Sequence, residues 1–195
     1  MLKKDIGLLI LIIVVSATVA FINPRFLLPI NLSNTMNLIG LYGIFSIGVG
    51  LVIITGGIEL SVGSMFALLG VIFVDLLSTY EINWAIAFLL IVIAGLILGA
   101  LHGLLVTRMG LQPFIVTLCG LLIYRGIARF YTEDATAGFP FGASYPALQW
   151  LTTGRTFGIP HSFIAFIIIA IVMGIVLHRS VFGRYLFAVG KNEEA

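Results

Sequence analysis

The stretch Thr55-Gly56-Gly57-Ile58-Glu59-Leu60-Ser61-Val62-Gly63-Ser64 joins a carboxylate and three hydroxyls to a backbone that resists regular structure. Two adjacent glycines disfavour a continuous helix, and Ser61 can cap whatever helix begins at Val62. Two readings stay open. As a cytoplasmic turn, the segment leaves Glu59 simply wet. As a break at membrane depth, it has to be buried in protein or face a water-filled cavity, because a carboxylate and unpaired backbone are expensive against lipid. Gly56, Gly57, Glu59, Ser61 and Gly63 would then line a translocation path or hold its structure, and Glu59 could bind a coupling ion.

Asp75, Arg125 and Arg129 are the other charges within apolar stretches. A charge at mid-bilayer costs about 2.5–3.5 kcal/mol on insertion scales, so such groups normally find a partner. Arg125 and Arg129 share a helix face, and Asp75 falls at similar depth. A structural pair of Asp75 with Arg125 or Arg129 is expected, with Arg125 on a polar path as the alternative. His102, His161 and His178 lack a second ligand at metal spacing and read as interfacial or packing residues, so no metal and no cofactor is expected. The lone Cys119 reads as a small packing residue. No nucleophile elbow, phosphate-binding loop or paired catalytic carboxylates occur, so the chain is not read as an enzyme.

The elements that position these residues are six apolar stretches: Ile6–Ile22, Leu38–Thr55, Val62–Ser78, Trp84–Val106, Leu111–Thr132 and Pro160–Leu177. Each approaches the ~20 residues that cross a bilayer. With 61% apolar and 9% charged residues, the chain has too little polar surface for a soluble globule. Strands of a membrane barrel would alternate, and Ala87–Leu101 does not. The predicted fold is an all-α polytopic transmembrane bundle of about six spans in a single domain, 1–195. Lys3 and Lys4 before an apolar run ending in Ala17-Thr18-Val19-Ala20 also resemble a secretory leader, but the run is longer than a usual leader core. If the first helix starts inside, inner segments carry Lys3, Lys4, Arg108, Arg179, Arg184 and Lys191, and outer ones carry only Arg25 and Arg155. Positive-inside asymmetry therefore places both ends in the cytoplasm. A net charge of +2, spread along span ends, excludes nucleic acid as a partner.

Gly95, Gly99 and Gly103, at spacing four, mark a close-packing seam or dimer face, echoed by Ser46/Gly50 and Gly63/Ala67. The segment Glu133–Ile159 is the one long connection, and Phe139, Phe141, Tyr145 and Trp150 suit an ordered interfacial loop.

The glycine segment closely resembles the signature of the permease subunits of bacterial ribose-type sugar ABC importers. Gln112-Pro113-Phe114-Ile115-Val116-Thr117-Leu118 with Tyr124-Arg125-Gly126 resembles that family's next block. Gly183-Arg184-Tyr185 through Gly190-Lys191-Asn192-Glu193-Glu194-Ala195 resembles its cytoplasmic coupling segment, the three lying in family order along nearly the whole chain. The resemblance implies an inner-membrane permease subunit that moves a sugar or related small polar solute. Its partners would be a cytoplasmic ATP-binding subunit, a periplasmic sugar-binding protein and a second permease subunit. Gly183, Arg184, Asn192, Glu193 and Glu194 would form the docking end, with an interfacial helix beginning near Asn192. Glu59 stands where the family more often has Asp, and the chain stops where family members continue, which implies the N-terminal part of a longer permease. An ion-coupled secondary transporter and an inactive permease fragment are the alternatives.

Overall fold

The structure, a computed structural model, describes residues 2–191, with side chains from 6 to 191. In chain order it comprises α1 (Leu2–Ile22), a 3-10 turn (Pro24–Leu27), α2 (Pro29–Ile54), α3 (Val62–Ser78), α4 (Trp84–Thr107) and α5 (Pro113–Tyr131). A short α6 (Pro146–Thr153), a hairpin of β1 (Arg155–Thr156) and β2 (Ile159–Pro160), α7 (His161–Arg179) and α8 (Val181–Lys191) follow. The all-α polytopic bundle is as expected, and its six apolar helices match the six stretches. Their starts have local causes. Proline at the first turn opens α2 and α5, where its missing N–H has no helical partner to lose. The Asn83 side chain opens α4 by accepting from the Ala85 N–H at 2.9 Å.

Helix α2 starts at Pro29, well before the expected Leu38. The polar residues that suggested a loop are instead used in tertiary contacts. Ser33 donates to the Gly158 carbonyl at 3.1 Å, Arg155 donates to Asn34 at 3.1 Å, and Ser162 donates to Asn37 Oδ1 at 2.6 Å. These bonds seat the hairpin on α2. They also make α2 and α7 run parallel, a pairing continued where Gly40 lies against the backbone of Ser162 and Phe163 and Gly43 against the Phe166 ring. This is the chain's close-packed seam. Of the seam expected at Gly95, Gly99 and Gly103, only Gly95 meets a neighbour within the chain, where a Cβ would lie 3.4 Å from Leu69 of α3; a Cβ at Gly99 or Gly103 would meet nothing within 4 Å, and the same holds at Gly50 and Gly63. Spacing marks a small-residue face but does not say which face receives a neighbour.

α3 and α5 also run parallel, joined by Leu68, Tyr124 and Ala128. At their far end the expected ion pair gives way to other partners. Asp75 accepts from the Tyr131 hydroxyl, and Arg129 pairs with Asp134. Arg125 is exposed, with no carboxylate partner among the described residues. Asp75 does lie level with the end of α5, but the phenol of Tyr131, two residues beyond Arg129, is what reaches the carboxylate. Asp134 lies beyond the helix, and the hydrogen bond from the Arg129 guanidinium holds its carboxyl below the usual carboxylate range. Both side chains of that pair are 64% exposed, so it adds little to stability.

Cys119 is exposed on α5 and does not pack in the chain interior. His178 bonds the Gly174 carbonyl one turn back on its own helix at 2.8 Å. The long connection is ordered as expected: Leu148 of α6 is buried with Leu77 and Ala87, and the Tyr145 hydroxyl donates to the Leu77 carbonyl at 3.0 Å. After the sixth apolar helix, a further helix runs from Val181 to Lys191. Gly183 makes the junction possible, because a Cβ there would lie 2.0 Å from the Leu177 carbonyl oxygen. Gly190 abuts the end of α2, where a Cβ would lie 1.8 Å from the Ile54 carbonyl oxygen. Asn192, Glu193 and Glu194 lie outside the described residues.

Candidate functional site

The helix break falls where the glycines were expected to put it. α2 ends at Ile54 and α3 begins at Val62. Gly56 takes φ +81°, a left-handed turn that costs glycine nothing. The Gly57 N–H then donates to the Val52 carbonyl at 3.0 Å, folding the chain back under α2.

Glu59 supplies the order in this segment. One carboxylate oxygen, Oε1, accepts from the Ser61 N–H at 2.6 Å and from the Ser61 hydroxyl at 2.7 Å. Ser61 therefore does not cap α3 through its side chain as expected; its hydroxyl is spent on Glu59. Ser61 is fully buried against α5 at Gly120, and Thr117 of the same helix donates to the Ile58 carbonyl at 3.2 Å. Gly120 and Thr117 sit one to two turns inside α5, so the break is packed roughly 6–10 Å inward from that helix end. Within the break Ser61 is buried and its N–H, like those of Gly56 and Gly57, is hydrogen-bonded, whereas Gly56, Ile58 and Leu60 stay exposed.

His102 was read as an interfacial or packing histidine. It is buried, as a packing residue would be, and it lies beside the carboxylate. Its Nε2 is 2.8 Å from the Tyr124 hydroxyl, the two rings stack at 5.6 Å, and its Nδ1 lies 3.9 Å from Glu59 Oε2. Nδ1 has no hydrogen-bond partner. A proton on Nδ1 turns an N–H toward the carboxylate and lets Nε2 accept from tyrosine, the arrangement electrostatics favours. Gly120 leaves room for the ring, because a Cβ there would lie 2.7 Å from its Cε1 and Nε2. Sequence reasoning singled out neither Tyr124 nor Gly120 for this site. The available signal was a histidine and a tyrosine within apolar helices, at matching depth.

Glu59 and His102 border a cavity of about 480 Å³ between the ends of α2 and α4 and the starts of α3 and α5. Gly99 and Gly103, left open by packing, are in its wall, with Thr55, Thr107 and Thr117. Among the sequence-predicted residues, Gly57 and Glu59 reach this wall, whereas Asp75 and Arg129 lie at the opposite end. No cluster of three metal-ligating side chains occurs among the described residues.

A bundle of long apolar helices with a carboxylate-bearing break beside a cavity defines a polytopic membrane protein. Residues 31–195 match the family described as "Branched-chain amino acid transport system / permease component", and the chain belongs to that family of multi-pass inner-membrane permeases. It is similar to the ribose import permease protein RbsC of Escherichia coli K12, 33% identical over 99% of this chain and 59% of that protein. It is also similar to RbsC of Bacillus subtilis 168, 35% identical over 97% of this chain and 57% of the relative. The fructose import permease protein FruF of Bifidobacterium longum is 37% identical over 79% of this chain and 43% of its own length. The chain thus spans little more than half the length of the ribose import permeases it matches. No solved structure matches it.

Proposed function

We propose that the chain is part of the permease subunit of an ATP-driven importer for a sugar or related small polar solute, acting as one transmembrane unit. The observation that carries this reading is the Glu59 break on a cavity, in a chain similar nearly end to end to ribose import permeases. Hydroxyl-rich solutes need fixed donors and acceptors to replace water, and Glu59, His102, Thr55 and Thr117 offer them at one end of the bundle. The energy source is a separate cytoplasmic ATP-binding subunit, and solute arrives from a periplasmic binding protein. A second permease subunit completes the membrane portion. Alternating access then proceeds by shifting helices around the break. α8 supports the coupling role given to Gly183 and Arg184, since its Gly190 touches the end of α2 and so reaches the break directly.

With the ATP-binding subunit and binding protein co-expressed, radiolabelled ribose or fructose uptake should stop on ATP depletion and persist when the proton gradient is collapsed. The reverse pattern would establish an ion-coupled secondary transporter. Sidedness is tested separately in a Cys119→Ser background. Impermeant maleimide added outside should label single cysteines at Gly142 or Thr153 and miss those at Arg108 or Lys191. Labelling of the second pair alone would invert the topology.

A further inference from the structure

Two cavities stack along α2 and share a wall. Beyond the one at Glu59, a second of about 750 Å³ lies toward the hairpin end, with Trp150, Thr156 and His161 at its polar rim. Ile44 and Phe45 border both spaces. Phe66 borders the second, and its ring meets Phe45 edge-on, with centroids 4.8 Å apart and planes at 79°. Neither ring belongs to the buried clusters that hold the bundle together, one around Leu68 and Tyr124 and the other around Leu77 and Ala87. Phe66 remains 58% exposed. A large aromatic pair that faces empty space on two sides contributes little as core.

We infer that Phe45 and Phe66 form an aromatic seal between two halves of one solute path. This inference rests on the proposed transport function. A polyol or ion crossing the ring pair would shed water without gaining a hydrogen bond, so the constriction closes by excluding water. Polar groups stand on both sides, on one the Thr156 hydroxyl and the His161 ring, bonded to each other at 2.7 Å, and on the other Glu59 and His102. The two rings come from α2 and α3, the helices joined by the break. Movement at the break therefore changes the ring contact, and an edge-to-face pair is weak enough to part and reform in each cycle.

The test uses proteoliposomes of the assembled importer, loaded with radiolabelled ribose and given no ATP. Phe45→Ala with Phe66→Ala should raise passive efflux about tenfold over the parent, the scale set by losing one aromatic contact. Phe45→Trp should stay as tight as the parent. Phe66→Leu, a milder change at an exposed position, is measured beside them and should leak at an intermediate rate. If the double variant assembles at parental level and stays tight, the seal is wrong. If the double variant fails to assemble, a tight Phe66→Leu overturns the seal equally. ATP-driven uptake by the parent in the same vesicles reports on the transport function itself, so its absence counts against that reading, while variant leak reports only on the rings.

Discussion

Gly40→Leu should separate α2 from α7 and leave little folded protein in the membrane. A Cβ at this position would lie 2.5 Å from the Ser162 carbonyl carbon, 2.6 Å from the Phe163 nitrogen and 2.7 Å from the Ser162 oxygen. All three are backbone atoms of a helix, so no side-chain rotation relieves the clash. Overpacking a well-filled site costs about 1–3 kcal/mol, and a rigid backbone neighbour puts this change at the upper end. The loss spreads further, because the same interface carries the Ser162 to Asn37 bond and seats the hairpin through Ser33. Gly50→Leu is the control, since nothing lies within 4 Å of its would-be Cβ. Detergent-extracted yield and thermal midpoint should fall sharply for Gly40→Leu and hold near parental values for Gly50→Leu. Equal behaviour of the two would mean that α2 and α7 are not held by close backbone approach.

That contrast also shows how far the sequence could be read. Hydropathy located all six apolar helices, and the adjacent glycines before Ser61 located the break, since both signals are local. Three features escaped because they depend on distant neighbours. Ser33, Asn34 and Asn37 look like loop residues until Gly158, Arg155 and Ser162, more than a hundred positions away, supply their partners. Gly99 and Gly40 are equally small, and only the fold gives one a cavity and the other a helix. Asp75 and Arg129 each found a partner close to the end of α5, Tyr131 and Asp134, so counting depth predicted the level and not the pairing. The Glu59 site lies between these cases. Its carboxylate and serine were legible, whereas His102 and Tyr124 join it only through the packing of α4 and α5 on the break.

Glu59 separates structural from functional roles, and its two substitutions should differ in stability while agreeing in transport. Glu59→Gln keeps an oxygen that can accept from the Ser61 N–H and hydroxyl, so the break should retain its shape. Glu59→Ala removes the acceptor for both donors, and Ser61 is fully buried. Each buried donor left unsatisfied costs about 1–3 kcal/mol, so the alanine variant should show the lower thermal midpoint. Transport depends on more than shape. The negative charge facing His102 Nδ1 at 3.9 Å is lost in both variants, and with it the strongest acceptor on the cavity wall. Hydrogen bonds to a charged group contribute about 1.5–3 kcal/mol, so uptake should fall by about tenfold or more in both. A glutamine variant with parental stability and that loss would make Glu59 part of the path. Parental uptake by Glu59→Gln, with loss confined to Glu59→Ala, would instead limit the carboxylate to holding Ser61, and the cavity would need another group to meet the solute.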